Sequence, residues 1–367
     1  MNVYPLIFKP IFKPRIWGGR RLESLLCKPL PQGAMIGESW EIADLEDDQS
    51  VVANGSAAGQ KLGALVREWG TSMTGRAQLV QGRFPLLIKF LDARQTLSVQ
   101  VHPDAATAAQ LGGRARLKHE AWYVIDAAPE AFIYRGLREG VGPEELKDAI
   151  RGRRLESLLI RIPVRRGHAY FLPSGTIHAL GAGVTVAEVQ TPSDTTYRLY
   201  DWDRVDPATN APRPLHIEEA TGCISFGADP IPHENPQHLA SVWTSVTSLI
   251  RSDAFVMERV RMIDGVEQAI PYDEMVIWIV LEGRGTIRHN GSAEGTPFGV
   301  GDVVLLPAGL SRGRVQTHDN CMWLEVSVPI VSSLTGFNRP KRESPAGGGG
   351  TAWVSLNVPD RDTGPSA

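Results

Sequence analysis

Gln100 and His102 are one residue apart in Ser98-Val99-Gln100-Val101-His102-Pro103. On a strand both project to one face, with Val99 and Val101 on the other, because side chains alternate with period two. A polar pair on an otherwise apolar strand must be satisfied when it points into a barrel. A divalent metal would do this, with imidazole nitrogen and amide oxygen as donors. Water hydrogen-bonded at a barrel mouth would do it equally. In Lys118-His119-Glu120-Ala121-Trp122 the same parity puts Lys118, Glu120 and Trp122 on one face. That arrangement sets a cation beside a carboxylate ligand, although charges at a strand start are commonly just solvated. With His178, the four residues Gln100, His102, Glu120 and His178 supply two imidazoles, a carboxylate and an amide. Such a set leaves room for water or substrate on Zn²⁺ and also suits Mn²⁺, Co²⁺ or Fe²⁺. Lys89 interrupts the apolar run PLLIKFL and must either snorkel to a barrel mouth or meet an anion.

The elements that must position these residues are mostly strands. PLLIKFLDA, LSVQVHP, AWYVIDA, AFIYRG, AYFLP, VTVAEVQ, MVIWIVLEG, GTIRHNG and DVVLLPAG are short, apolar and β-branched, with turn residues at their ends. Two helices are predicted, over 104–112 from an Asp after a Pro, and over 143–159 from Pro143 with acids early and basics late. Gly167 to His178 reads G-x5-P-x-G-x2-H and Gly301 to Arg312 reads G-x5-P-x-G-x2-R. The shared frame predicts two related jelly-roll barrels of the cupin type, in a mainly β chain. Because Arg312 replaces the imidazole, only the first barrel has a working site. The expected organisation is a catalytic domain over 1–235 with a helical insertion at about 104–160, and a second barrel without a metal site over 236–338. A Pro- and His-rich boundary falls near 230–246, and a flexible tail fills 339–367.

The net charge of −3 gives no electrostatic reason to expect nucleic acid or an anionic membrane as partner. No apolar stretch reaches the length of a membrane-spanning helix, and Pro, Lys and Arg break up the N-terminal residues where a signal-peptide core would lie. Cys27, Cys223 and Cys321 are an odd, dispersed set that fits a reducing compartment, so a cytoplasmic protein, monomer or homodimer, is expected.

Six blocks give the chain a specific resemblance: FKPIFKPRIWGG (8–19), IGESWEIAD (36–44), FPLLIKFLDARQTLSVQVHPD (84–104), KHEAWYVID (118–126), FLPSGTIHALGAG (171–183) and EVQTPSDTTYRLYDWDR (188–204). The chain resembles the type I phosphomannose isomerases from about residue 7 to about residue 330. The resemblance implies one Zn²⁺ held by Gln100, His102, Glu120 and His178, the four residues that the strand parity and the repeat single out. It also implies that Arg198 lies beside the reacting carbons, that Glu188 is a proton-transfer group, and that Ser98, Lys89 and Lys118 stand at the phosphate end of the pocket. Near Arg204, longer members of the family carry a lysine. The implied reaction interconverts mannose 6-phosphate and fructose 6-phosphate by metal-assisted proton transfer through a cis-enediolate. Two alternatives are a cupin acting on another substrate (a different sugar phosphate, or Fe²⁺ oxygenase chemistry) and a sugar-phosphate sensor without catalysis.

Overall fold

Strands buried on both faces read as continuous apolar runs, and period two then sorts their side chains between two compartments. In strand Leu87–Ala93, Ile88 and Phe90 face one core while Leu91 and Ala93 face another. Strand Glu120–Ala127 sends Ala121 and Tyr123 to the first and Trp122 and Val124 to the second. Strand Val184–Gln190 splits the same way, with Ala187 and Val189 against Val184 and Val186. Lys89, Glu120 and Glu188 share parity with the second set, so each enters the interior of a barrel rather than solvent.

The computed structural model describes residues 3–330 except 114, 208, 228–236, 291 and 293. A six-stranded antiparallel sheet is ordered Ala169–Leu172, Glu120–Ala127, Val184–Gln190, Leu87–Ala93, Ile36–Ile42, Ile11–Gly19. It packs on a five-stranded sheet ordered Tyr197–Tyr200, Val99–Val101, His178–Leu180, Phe132–Leu137, Leu159–Pro163. A second pair of sheets follows. Its eight-stranded member contains Thr244–Arg251, Val256–Met262, Cys321–Ser327, Val276–Glu282 and Val303–Leu306. Its four-stranded partner contains Arg314–Thr317 and Gly285–Arg288. Trp278 and Trp323 stack inside this second pair with ring centroids 4.5 Å apart. The two large sheets lie back to back across one core, where Phe90, Ala187 and Tyr123 meet Ile277, Leu305 and Leu324.

Strand Leu6–Lys9 pairs with Val303–Leu306, Leu6 opposite Leu305. The N-terminal residues therefore complete the second sheet pair, although the linear reading assigns them to the first domain, and residues up to Pro329 form one compact unit. The stretch 104–160 contains helices Ala105–Leu111 and Pro143–Arg151, but also strands Glu120–Ala127 and Phe132–Leu137, which belong to the first barrel. Asp104 caps its helix by accepting from the Thr107 amide at 2.7 Å. The helix expected over 143–159 stops at Gly152, because Arg153 turns left-handed with φ 55°, and a 3-10 turn Leu155–Leu158 follows. Part of the boundary expected at 230–246, and all of the tail from 339, lie outside the described residues. Among the described residues no helix is long and apolar enough to cross a membrane, and Cys27, Cys223 and Cys321 are unpaired.

The repeated G-x5-P-x-G frame is visible in three dimensions. Gly167 and Gly301 have φ of 89° and 88° and lead into strands Ala169–Leu172 and Val303–Leu306. The copies then diverge. His178 opens strand His178–Leu180, whereas the second copy delays its strand to Arg314–Thr317 and leaves Arg312 exposed in a left-handed turn. A Cβ on Gly301 would lie 1.9 Å from the Leu26 carbonyl oxygen. Gly301→Ala is therefore expected to cost about 2 kcal/mol or more, read as a lower denaturant midpoint at unchanged m.

Candidate active site

Neighbouring strands of the five-stranded sheet bring four polar side chains into one row: Arg198 opposite Gln100, Gln100 opposite His178, His178 opposite Arg135. Glu120 comes from the other sheet, at the start of its strand. The corner between Pro173 and His178 ties the two histidine segments together, since the Gly175 amide donates to the His102 carbonyl at 2.9 Å. Gly175 has φ 84°, and a Cβ there would meet Ser225 Oγ at 2.2 Å, so glycine is required at that turn.

His102, Glu120 and His178 are buried, with ligand atoms all within 4.8 Å of one another. His102 Nε2 is 3.3 Å and His178 Nε2 is 3.2 Å from the Glu120 carboxylate. Each imidazole donates its Nδ1–H to a backbone carbonyl, His102 to Thr195 at 2.9 Å and His178 to Thr176 at 2.8 Å. Those bonds fix the tautomers and leave both Nε2 lone pairs facing an anion. Burial, then the Lys118 charge, holds His102 down to about 3, so it stays neutral. His102 Nε2 and Glu120 Oε2 have no hydrogen-bond partner. Two inward-facing acceptors without a donor are costly when buried, and a divalent cation satisfies both together with His178 Nε2 beside them. The Gln100 amide lies 3.3 Å from His178 Nε2. Turning the amide over, which exchanges its near-identical nitrogen and oxygen, aims the carbonyl oxygen at the cluster. The donor set therefore fits a metal. Lys118 Nζ is 2.8 Å from Glu120 Oε1. Burial opposes ionisation of Glu120, but the Lys118 charge outweighs it and holds the carboxyl well below its usual range.

His119 lies outside this cluster and accepts from the Ser174 amide at 2.9 Å. Lys89 does not snorkel. It is buried, 3.1 Å from Glu188 Oε1 and 3.9 Å from Glu38 Oε2, with its ammonium 5.0 Å above the Trp40 ring. The Trp122 indole donates to Glu188 Oε2 at 2.8 Å. Burial raises Glu188, with Lys89 opposing. Burial alone would lower Lys89, but Glu188 and Glu38 keep it protonated. Glu38 also accepts from Arg15 at 2.6 Å and from the Trp40 indole at 2.7 Å. Burial again opposes, yet the charges of Lys89 and Arg15 pull Glu38 from 4.5 to about 2. A depressed carboxyl stabilises the fold above its unfolded pKa, and that contribution is lost as pH falls through the folded value. About 3 kcal/mol should therefore disappear between pH 4.5 and 2, and Glu38→Gln should flatten that part of the acid-unfolding curve.

These groups line a cavity of about 300 Å³ that includes Ser98, Gln100, Lys118, Glu120, Lys89, Glu188 and Arg198. All the candidate residues are thus brought to one place, with His102 and His178 in the cluster at its wall. Arg15, Glu38 and Arg213 line it too, and sequence reasoning missed all three. Arg15 stood inside the block FKPRIWGG as a cation between Pro14 and Ile16, a signal that could have flagged it. Arg204 does not line the cavity and instead grips Asp201 Oδ1 at 2.5 Å and the Thr96 carbonyl at 2.7 Å.

Facing antiparallel sheets with an inward His/Glu/His cluster beside a charged cavity define a cupin-like β protein with a candidate metal centre. Residues 6–130 match the family model for the phosphomannose isomerase type I catalytic domain. The chain is 36% identical over 327 residues to the mannose-6-phosphate isomerase ManA of Bacillus subtilis (strain 168), covering 88% of this chain and 99% of that protein. It is also 36% identical over 310 residues to the mannose-6-phosphate isomerase of Streptococcus mutans, covering 83% and 92% respectively. The crystal structure of the mannose 6-phosphate isomerase from Bacillus subtilis superposes with a TM-score of 0.80 at 30% identity, covering 89% of this chain and all of that one. The chain belongs to the type I phosphomannose isomerase family.

Proposed function

We propose that the chain interconverts mannose 6-phosphate and fructose 6-phosphate in the 300 Å³ cavity, with Zn²⁺ held by His102, Glu120, His178 and the turned amide of Gln100. The observation that carries this is the convergence of two oriented Nε2 lone pairs and one carboxylate beside a cavity rich in fixed charge. When bound, the metal would supply a Lewis acid for the oxygens on the reacting carbons.

The chain's own residues do the rest. The reaction moves one proton between C2 and C1 and shifts the carbonyl, leaving negative charge on the oxygens of a cis-enediolate. Arg198, in register with Gln100, contributes a positive charge that takes no part in proton exchange. Glu188 carries the proton. Its carboxylate is aimed by the Trp122 indole and by Lys89, and burial raises its basicity toward the working range of a general base. Ser98, Lys89 and Lys118 stand in the same cavity as contributors to phosphate binding. Both lysines already face carboxylates, so a phosphate competes with Glu188 and Glu120 for them. We assign the second sheet pair a structural role, since it shares one core with the first and packs Trp278 on Trp323 inside itself. Unpaired cysteines fit a cytoplasmic setting.

The test is to follow fructose 6-phosphate from mannose 6-phosphate before chelation, after chelation and with zinc restored. Turnover that vanishes and returns supports the reading; metal-loaded, folded protein with no turnover favours a sugar-phosphate sensor or a different sugar.

A further inference from the structure

The cations of the cavity fall into two groups. Lys89, Lys118 and Arg15 each sit against a carboxylate, at 3.1, 2.8 and 2.6 Å. Arg198 and Arg213 also line the cavity, with Arg204 behind them, and they are balanced differently. Arg213 follows the paired segments Val205–Asp206 and Ala211–Pro212, which bring it back toward Asp201. Its Nε and Nη2 grip both oxygens of Asp201, at 2.8 and 2.5 Å. Arg204 shares Asp201 Oδ1 with Arg213 and also donates to the Thr96 carbonyl. Arg198 donates to the Pro214 carbonyl at 2.9 Å, while its buried Nε has no partner. Asp201 thus holds two guanidinium groups and lies beside a third, and with Asp194 and the paired carboxylates counted, the cavity lining and its supports keep a formal excess of one positive charge. Burial and the crowding of Arg213 and Arg204 push Arg198 below its usual value, as expected of a cluster short of anions.

A phosphate monoester near neutral pH carries a charge of about −1.5 to −2 and three acceptor oxygens. Its charge opposes this excess and its oxygens suit the donors: Arg213 grips Asp201 through Nε and Nη2, which leaves the hydrogens of Nη1 for a ligand, and planar guanidinium groups bind phosphate in this way. We propose that Arg213, oriented by Asp201 and braced by Arg204, reads the substrate's phosphate and so determines the preference for phosphorylated sugar. This rests on the sugar-phosphate reading above. Asp201 and Arg204 act as positioning residues, since neither lines the cavity.

Metal-loaded, full-length wild type, Arg213→Gln and Arg213→Lys would be compared in two assays. In the first, Arg213→Gln is expected to raise KM for mannose 6-phosphate by tens of fold with kcat within about threefold, and Arg213→Lys to fall between it and wild type. The second is calorimetric binding of sorbitol 6-phosphate, which has no carbonyl to isomerise, against sorbitol. There the wild-type preference for the phosphorylated compound should drop at least tenfold in Arg213→Gln. An unchanged KM, a loss confined to kcat, or an undiminished preference for sorbitol 6-phosphate would overturn the proposal. Absence of any such preference in the wild type would do the same. If the wild type does not isomerise mannose 6-phosphate, the catalytic reading falls while the binding assay still decides the arginine assignment. Should Arg213→Gln not fold, Arg213→Lys carries both assays.

Discussion

His178→Ala is expected to strip the protein of its metal and to lower turnover by on the order of a thousandfold. His178 contributes one of only three acceptors in the His/Glu/His group, and its Nδ1–H to the Thr176 carbonyl sets the direction of the missing donor pair. Alanine also removes the ring that packs edge-on against Trp122 at 5.4 Å, so a cavity opens beside the cluster as well. Metal content by elemental analysis should fall in step with activity, and excess zinc should not restore either. His119→Ala is the control. Its ring belongs to the Ser174 turn and not to the cluster, so metal content should remain at the wild-type level. A His178→Ala protein that kept its metal and its rate would remove the cluster from the mechanism.

The second large effect is expected at Lys89. Lys89→Met leaves Glu188 buried without its cation and Glu38 with Arg15 alone. Breaking a buried pair from one side costs about 3–5 kcal/mol, because the partner's charge is stranded. Glu188 can escape that cost by taking up a proton. Burial already raises its pKa, and losing Lys89 removes the main opposing influence, so the carboxyl is neutral over a wider range and cannot act as a base. At neutral pH turnover should fall by about a hundredfold, and because a raised pKa is overcome only by raising pH, the variant's activity should climb toward alkaline pH. Adding Glu188→Gln should recover part of the stability, since an amide strands no charge, yet recover none of the turnover. Denaturant unfolding and pH-rate profiles of the three proteins separate these outcomes. A Lys89→Met enzyme with a wild-type pH profile would show that Glu188 does not carry the proton.

Much of this site was legible in the sequence, for a simple reason. In strands the side-chain period is two, so parity alone places Gln100 and His102 on one face and Glu120 with Lys118 on another. The Gly-Pro-Gly frame around Pro173 likewise marks the corner that delivers His178, and its second copy shows where the histidine is lost. Lys89 announced itself by breaking an apolar run, and the strand is indeed buried on both faces. Local rules did not say which of two open answers held. Whether Lys89 reached solvent or an anion depended on Glu188 and Glu38, which lie 99 and 51 residues away in the chain and meet it only through sheet register. The same holds for Arg15, Arg204 and Arg213. As isolated basic residues they look alike, and it is the fold that gives Arg213 a place on the cavity wall and turns Arg204 toward Asp201. The N-terminal strand tells the same story, since its pairing with Val303–Leu306 spans nearly the whole described chain. Residue type and strand parity determined what chemistry this protein could assemble. Long-range pairing decided which charges meet, because the cost of burying a charge is set by its neighbours in space and not by its neighbours in sequence.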